Sequence, residues 1–188
     1  MLKDRIIIGI IIGILADVVK LSFNYLSFAL NYTPVVFWQI VAATGLARED
    51  VFTPIGIFIG GITDVIVAMF LGVIFIYFIY LTGKENLWIK GIGFGMLVWV
   101  IFFVVVEGQL VQEKIPPEPP GILVTIVAHF LFGLSLAAFT KLLASDMSFF
   151  VEDVKRIFQV KSQVRSFKLL TPFPMKKSNK GLKKPKKL

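Results

Sequence analysis

The chain has 188 residues, of which 56% are hydrophobic and 17% charged, with a mean hydropathy of +0.82; this leaves too little polar surface to clothe a soluble domain. It contains no cysteine, which excludes disulfides, thiolate catalysis and cysteine-held metals, and its one histidine is His129. The net charge of +8 is lopsided: residues 141–188 carry 13 Lys and Arg against 3 Asp and Glu, while residues 1–140 carry 7 against 9.

Four apolar blocks, at about 6–30, 54–82, 87–112 and 121–144, each reach the roughly 20 residues that a helix needs to cross a bilayer core. The short alternating strands of a membrane β-barrel are missing, so the expected fold is all-α, a four-helix membrane bundle. The first block follows Lys3 and Arg5 but is too long for a signal peptide. It also contains Asp17 and Lys20 and lacks a small-residue cleavage site, so it is expected as a mature helix.

Thr33-Pro34, then VVFWQIVAAT, then Gly45 form a helix start and stop around residues 34–44. That segment is too short to span, so a helix lying on the outer face, or a re-entrant piece, is expected, with Trp38 at headgroup depth. Thr53-Pro54 starts the second span in the same way. The loop TGKENLW is tight and predicts a close hairpin of spans two and three. In the third loop, KIPPEPPG, consecutive prolines predict extended backbone. Beyond the spans, Met147, Phe150, Val151, Val154, Ile157, Phe158, Val164 and Phe167 recur at helical spacing opposite charged residues. They predict an amphipathic interfacial helix over 145–170. Residues 171–188 are too polar to pack and are expected to be disordered.

Basic residues mark the cytoplasmic side. Lys3 and Arg5, the second loop (Lys84, Lys90) and the tail are basic. The first loop (Arg48, Glu49, Asp50) and the third (Glu113, Lys114, Glu118) each net −1. Both termini are therefore expected in the cytoplasm, in a multi-pass protein of a bacterial cytoplasmic membrane. The tail lysines Lys176, Lys177, Lys180, Lys183, Lys184, Lys186 and Lys187 are candidates for binding acidic lipids or a partner. No aromatic residues are interleaved with them, so nucleic acid is the less expected anion.

Aligned on their first glycine, the spans read GIIIGILAD (9–17), GIFIGGITD (56–64), GIGFGMLVW (91–99) and GILVTIVAH (121–129). Gly9 with Gly13, Gly56 with Gly60, Gly91 with Gly95, and Gly121 with Thr125 thus form small-x-x-x-small pairs, which let neighbouring helices approach closely. The pattern reads as an internal repeat of two helical hairpins, spans 1–2 and 3–4. The eighth position of each segment, Asp17, Asp64, Trp99 or His129, falls near mid-membrane by the 1.5 Å rise of a helix. An ionised Asp there costs about 2.5–3.5 kcal/mol and needs a partner. Lys20 can serve Asp17 along its own helix. Asp64 must be protonated or paired across helices, with Lys20 or His129. Glu107 lies nearer the outer end of span three and can snorkel. Asp17, Lys20, Asp64, His129 and Glu107 are therefore the candidate intramembrane cluster, able to handle protons or cations. The competing reading makes the acids structural and His129 a hydrogen-bonded packing residue; Trp99, Asn24, Tyr25 and Asn31 read as packing or hydrogen-bonding residues.

Catalytic patterns are lacking: there is no His-Glu-x-x-His, Gly-x-Ser-x-Gly or phosphate-cradling loop. Ser22, Ser27 and Ser135 have only His129 as a base. No catalytic residue, cofactor or enzyme activity is expected. A metal on Asp17, Asp64, His129 and Glu107 is chemically conceivable, but the ligand spacing is missing and none is assigned. Four helices leave little room for a sealed pathway, so a homo-oligomer or a partner membrane subunit is expected. The alternative function is a non-transporting anchor or assembly subunit whose basic tail docks on lipid or a cytoplasmic partner.

The Gly-rich first and second spans, the outer loop with Pro34 and Trp38, GIGFGMLVW in span three and FLFG (130–133) in span four resemble the small YqhR-type four-span membrane proteins of Gram-positive bacteria. The resemblance implies a helical membrane fold over residues 6–144 and carries no activity or site residues. Asp17, Asp64 and the long basic tail depart from it.

Overall fold

The structure, a computed structural model, describes residues 4–111, 113–116 and 118–144. The expected helix at 145–170, the tail at 171–188 and its seven lysines lie outside the described residues. Those that are described are all-helical: α1 (Arg5–Ala29), α2 (Phe37–Ala43), α3 (Pro54–Thr82), α4 (Leu87–Ile101) and α5 (Pro119–Leu143). A π-helical segment, Phe102–Val111, follows α4 directly. Helices α1, α3 and α5 are long and apolar enough to cross a membrane; α4 by itself has 15 residues and is shorter than a span.

Local chemistry sets most of the ends. Asp4 caps α1, its carboxylate accepting from the Ile6 and Ile7 amides. Thr53 caps α3 with Pro54 at the first position, and Gly83, at φ 80°, ends it. Pro119 and Pro120 form the first turn of α5, so these two prolines start a helix instead of extending the loop.

Helix α2 corrects the expected 34–44 helix. It begins at Phe37 because its cap comes from elsewhere. Asn24 of α1 accepts a 2.7 Å hydrogen bond from the Phe37 amide, while the Gln39 side chain accepts from the Val36 amide. Among the described residues, the Thr33 hydroxyl bonds to Val35 and not to the α2 amides. Nor does α2 lie on a surface: Phe37, Ile40, Val41, Ala42 and Ala43 are buried, packed with Val51, Val111 and Ile115. At its other end the Lys114 ammonium donates to the Ala43 and Leu46 carbonyls at 2.7 and 2.8 Å.

The long helices pack as two pairs, α1 with α3 and α4 with α5, joined along α1 and α5. Helices α3 and α4 scarcely touch despite their tight loop, apart from Phe75 and Phe78 against Phe94; the predicted close hairpin of spans two and three is not formed. The reason lies in the glycines. A Cβ on Gly13 would overlap the Ala68 carbonyl, and one on Gly72 would overlap Gly9. In the other pair, a Cβ on Gly95 would overlap the His129 carbonyl, and one on Gly133 would overlap Gly91. Backbones this close exist only where side chains are absent.

The two crossings share a contact pattern: Gly72 meets Gly9 and Gly13 as Gly133 meets Gly91 and Gly95. This corrects the expected packing in α3 and α5. Gly56 and Gly60 do not face another long helix; they receive the Asp50 and Trp38 carbonyls of the α2 region, and Gly121 meets only Thr33. In contact register, Asp64 corresponds to Thr125 rather than to His129, and Ala68 corresponds to His129.

Helix α1 turns its polar groups inward. Buried positions on α1 are Gly9, Ile12, Gly13, Ala16, Asp17, Lys20, Asn24 and Ser27, one stripe recurring every three or four residues, while Ile6, Ile7, Leu15, Val18 and Leu26 are exposed. Charged and amide groups lie on the protected face and aliphatic ones outside. That is the reverse of a soluble helix and the arrangement expected in lipid.

Candidate functional site

The α1–α3 crossing brings Asp17 and Asp64 to the same level, and Lys20, one turn beyond Asp17, reaches between them. Its Nζ lies 2.7 Å from Oδ1 of Asp17 and 2.7 Å from Oδ1 of Asp64. The contact with Asp64 is aligned as a hydrogen bond; that with Asp17 is ionic, its oxygen lying off the hydrogen-bonding directions. Asp17, Lys20 and Asp64 are 1%, 4% and 3% exposed. Among the described residues, Oδ2 of each carboxylate has no hydrogen-bond donor. The two carboxylates share one ammonium, so the fully ionised triad carries a net charge of −1 away from water.

Aromatic rings close around the ammonium. Lys20 Nζ stands 4.3 Å from the Phe37 ring centroid and 5.7 Å from that of Phe132. His129 packs edge-on to Phe37 at 5.4 Å and against Phe102 at 6.4 Å. Its Nδ1 lies 2.8 Å from the Thr125 carbonyl oxygen, which can only accept, so Nδ1 carries the proton and the neutral ring keeps Nε2 as an acceptor. Thr125 is itself held: its hydroxyl accepts from Trp99 Nε1 at 3.1 Å and donates to the Ile122 carbonyl. His129 is thus a packed, hydrogen-bonded residue and also part of the wall that the triad shares.

That wall encloses a cavity of about 260 Å³. Lys20, Asp64 and His129 form its polar part; Phe37, Phe102 and Phe132 are its aromatic walls. Every helix contributes a lining residue, with Val98 standing for α4.

Of the sequence-predicted cluster, then, Asp17, Lys20 and Asp64 are in direct contact and His129 faces the same cavity. Glu107 falls in the π-helical segment, and its side chain lies outside those described. No group of three or more Asp, Glu or His converges among the described residues in a way that could hold a metal ion. Sequence reasoning missed Phe37, Phe102 and Phe132. Phe132 was accessible, three residues after His129 on one helix face; Phe37 was not, since only the docking of α2 puts it over Lys20.

Comparison with known protein families, with characterised proteins and with solved structures yields no match.

Proposed function

We propose that the protein is a small multi-pass membrane protein that handles protons or cations through the Asp17–Lys20–Asp64 triad. The observation that carries this reading is the charge count: two buried carboxylates around one buried ammonium, beside a cavity. A desolvated charge of −1 is costly, and one proton or one cation removes it. A site built only to hold helices together needs one acid per lysine; the second acid is what a binding site adds. His129, with Nε2 as an acceptor, extends the route along the cavity wall.

In this reading α4 and the π-helical segment together make a fourth crossing. Arg5, Lys84, Lys90 and Lys141 gather at the end of the bundle where α1 and α4 begin and α3 and α5 end. There Arg5 lies 4.1 Å over the Tyr80 ring, Lys141 lies 5.8 Å over Trp88, and Lys90 donates to the Thr82 and Gly83 carbonyls. That end is the cytoplasmic one by the basic-residue rule, which places both termini inside. The matching glycine crossings favour an internal duplication of a two-helix unit, and the small bundle favours a homo-oligomer.

The test is flux in proteoliposomes under imposed pH and cation gradients, comparing wild type with Asp64→Asn. Flux in wild type that falls at least tenfold in the variant supports the reading. Wild-type vesicles as tight as empty ones to protons and to common cations would sink it. The rival, an anchor docked through its basic tail, then gains; removing residues 171–188 would abolish partner or acidic-lipid recovery.

A further inference from the structure

We infer that the cation taken by this site is a lipophilic organic monocation, such as an amine or quaternary ammonium, that enters sideways between α3 and α4. The inference rests on the proposed function, since it names the substrate class of the same triad.

Three independent features of the cavity select that chemistry. Its size comes first: about 260 Å³ is room for several waters or an organic group, far more than a proton or a bare ion uses. Its lining is the second. Phe37, Phe102 and Phe132 present rings, and aliphatic side chains fill most of the remainder. Aromatic faces attract organic cations, and apolar walls do not replace the hydration shell of an inorganic one. The third is the charge. Asp64 is 3% exposed, lines the cavity and has Oδ2 without a donor. Lys20 satisfies Oδ1 and balances only one of the two negative charges, so the triad keeps one negative charge in surplus and Asp64 presents it to the cavity.

The way in is legible from exposure. Of the lining residues on α3, Asp64 and Ala68 are buried, whereas Thr63 and Val67 are exposed, Val67 by 47%. They stand on the flank where α3 and α4 scarcely touch, with Val98 and Phe102 opposite. A hydrophobic cation partitioned into the bilayer reaches Asp64 through that gap without crossing water.

Binding is then a matter of charge balance. The charged groups near Asp64 are Asp17 and Lys20 of α1; α5 offers His129, and α2 and α4 add no charged group to the cavity wall. An incoming monocation meets the surplus negative charge that Asp17 and Asp64 hold against one ammonium, and balances it.

The experiment uses the full chain in phosphatidylcholine nanodiscs with radiolabelled benzyltrimethylammonium, whose own charge does not titrate. Expected is saturable binding at one site per chain. Asp64→Asn should weaken it at least tenfold, and so should Val67→Trp, whose indole takes up part of the cavity that Val67 lines. Neopentylbenzene, the uncharged isostere, should not displace the label. Wild-type affinity in either folded variant, or displacement by neopentylbenzene, overturns the inference. If Asp64→Asn fails to fold, Val67→Trp decides. Asp64-dependent proton flux without benzyltrimethylammonium binding would sink this inference and leave the proposed function standing. Binding with neither proton nor cation flux would do the reverse.

Discussion

Lys20 and Asp64 are 44 residues apart in the chain, yet the ammonium of one donates to the carboxylate of the other at 2.7 Å inside the bundle. The pairing depends on the glycine crossing of α1 and α3, which sets both groups at one level, and on Asp17, which holds the same ammonium from the other side. Helix geometry and charge are therefore one problem in this protein.

The first prediction concerns that coupling. Lys20→Met leaves two buried carboxylates with no cation, and breaking a buried ion pair from one side costs about 3–5 kcal/mol. The triple variant Asp17→Asn, Lys20→Met, Asp64→Asn removes all three charges together and should recover most of the loss. Thermal unfolding in mild detergent, read by circular dichroism, gives both numbers. Additive losses in the triple variant would mean that the three groups act separately.

The second concerns the close crossings. Gly72→Ala and Gly133→Ala each place a methyl against backbone that cannot move aside, at Gly9 and Gly91 respectively. Each should destabilise by about 1–3 kcal/mol. Gly61→Ala and Gly93→Ala point into open space and should be neutral or slightly stabilising, because alanine is the better helix former. Melting temperatures of the four variants, measured side by side, check the contrast; equal shifts would show that the crossings are looser than described.

These glycines also show how far the sequence could be read. The limits of α1 and α5 were close and those of α3 the same, because apolar length and a Thr-Pro start are local signals, whereas α4 stops at Ile101, well short of the expected span. Asp17, Lys20 and Asp64 stood out because a charge in an apolar block needs a partner. The contact register was harder. Long apolar helices hold several small residues four apart, and nothing local distinguishes Gly56-x-x-x-Gly60 from Ala68-x-x-x-Gly72, which is the pair that meets α1. The start of α2 was hidden for another reason: its cap is the side chain of Asn24, thirteen residues back on another helix. Lys114 looked like a loop charge, and only the fold reveals it as the cap on the far end of α2.

A third prediction follows for α2. Asn24→Leu leaves the buried Phe37 amide without its acceptor, a loss of about 1–3 kcal/mol. Lys114→Met frees the Ala43 and Leu46 carbonyls in the same way. Because α2 has only seven residues, it cannot hold a helix without these clamps. Hydrogen exchange should show faster exchange at residues 37–43 in both variants, with α1 and α3 protection kept. Uniformly faster exchange would mean that the clamps stabilise the whole bundle and not α2.

The last prediction uses the second crossing as a control for the first. Trp99 and Thr125 occupy the contact positions that Asp17 and Asp64 occupy in the other pair, and a neutral hydrogen bond of 3.1 Å joins them. Trp99→Phe removes the donor and keeps a ring, so the loss should be about 0.5–1.5 kcal/mol. Thr125→Val should cost about as much, and the double variant little more than either. The cycle should be insensitive to pH, because no titrating group is removed. A double-mutant cycle at Asp17 and Asp64, run in parallel, should show a larger coupling than the neutral pair, because both acids hold the one Lys20 ammonium. Matching cycles would make the charged crossing as inert as the neutral one, and the surplus carboxylate would lose its claim to bind anything.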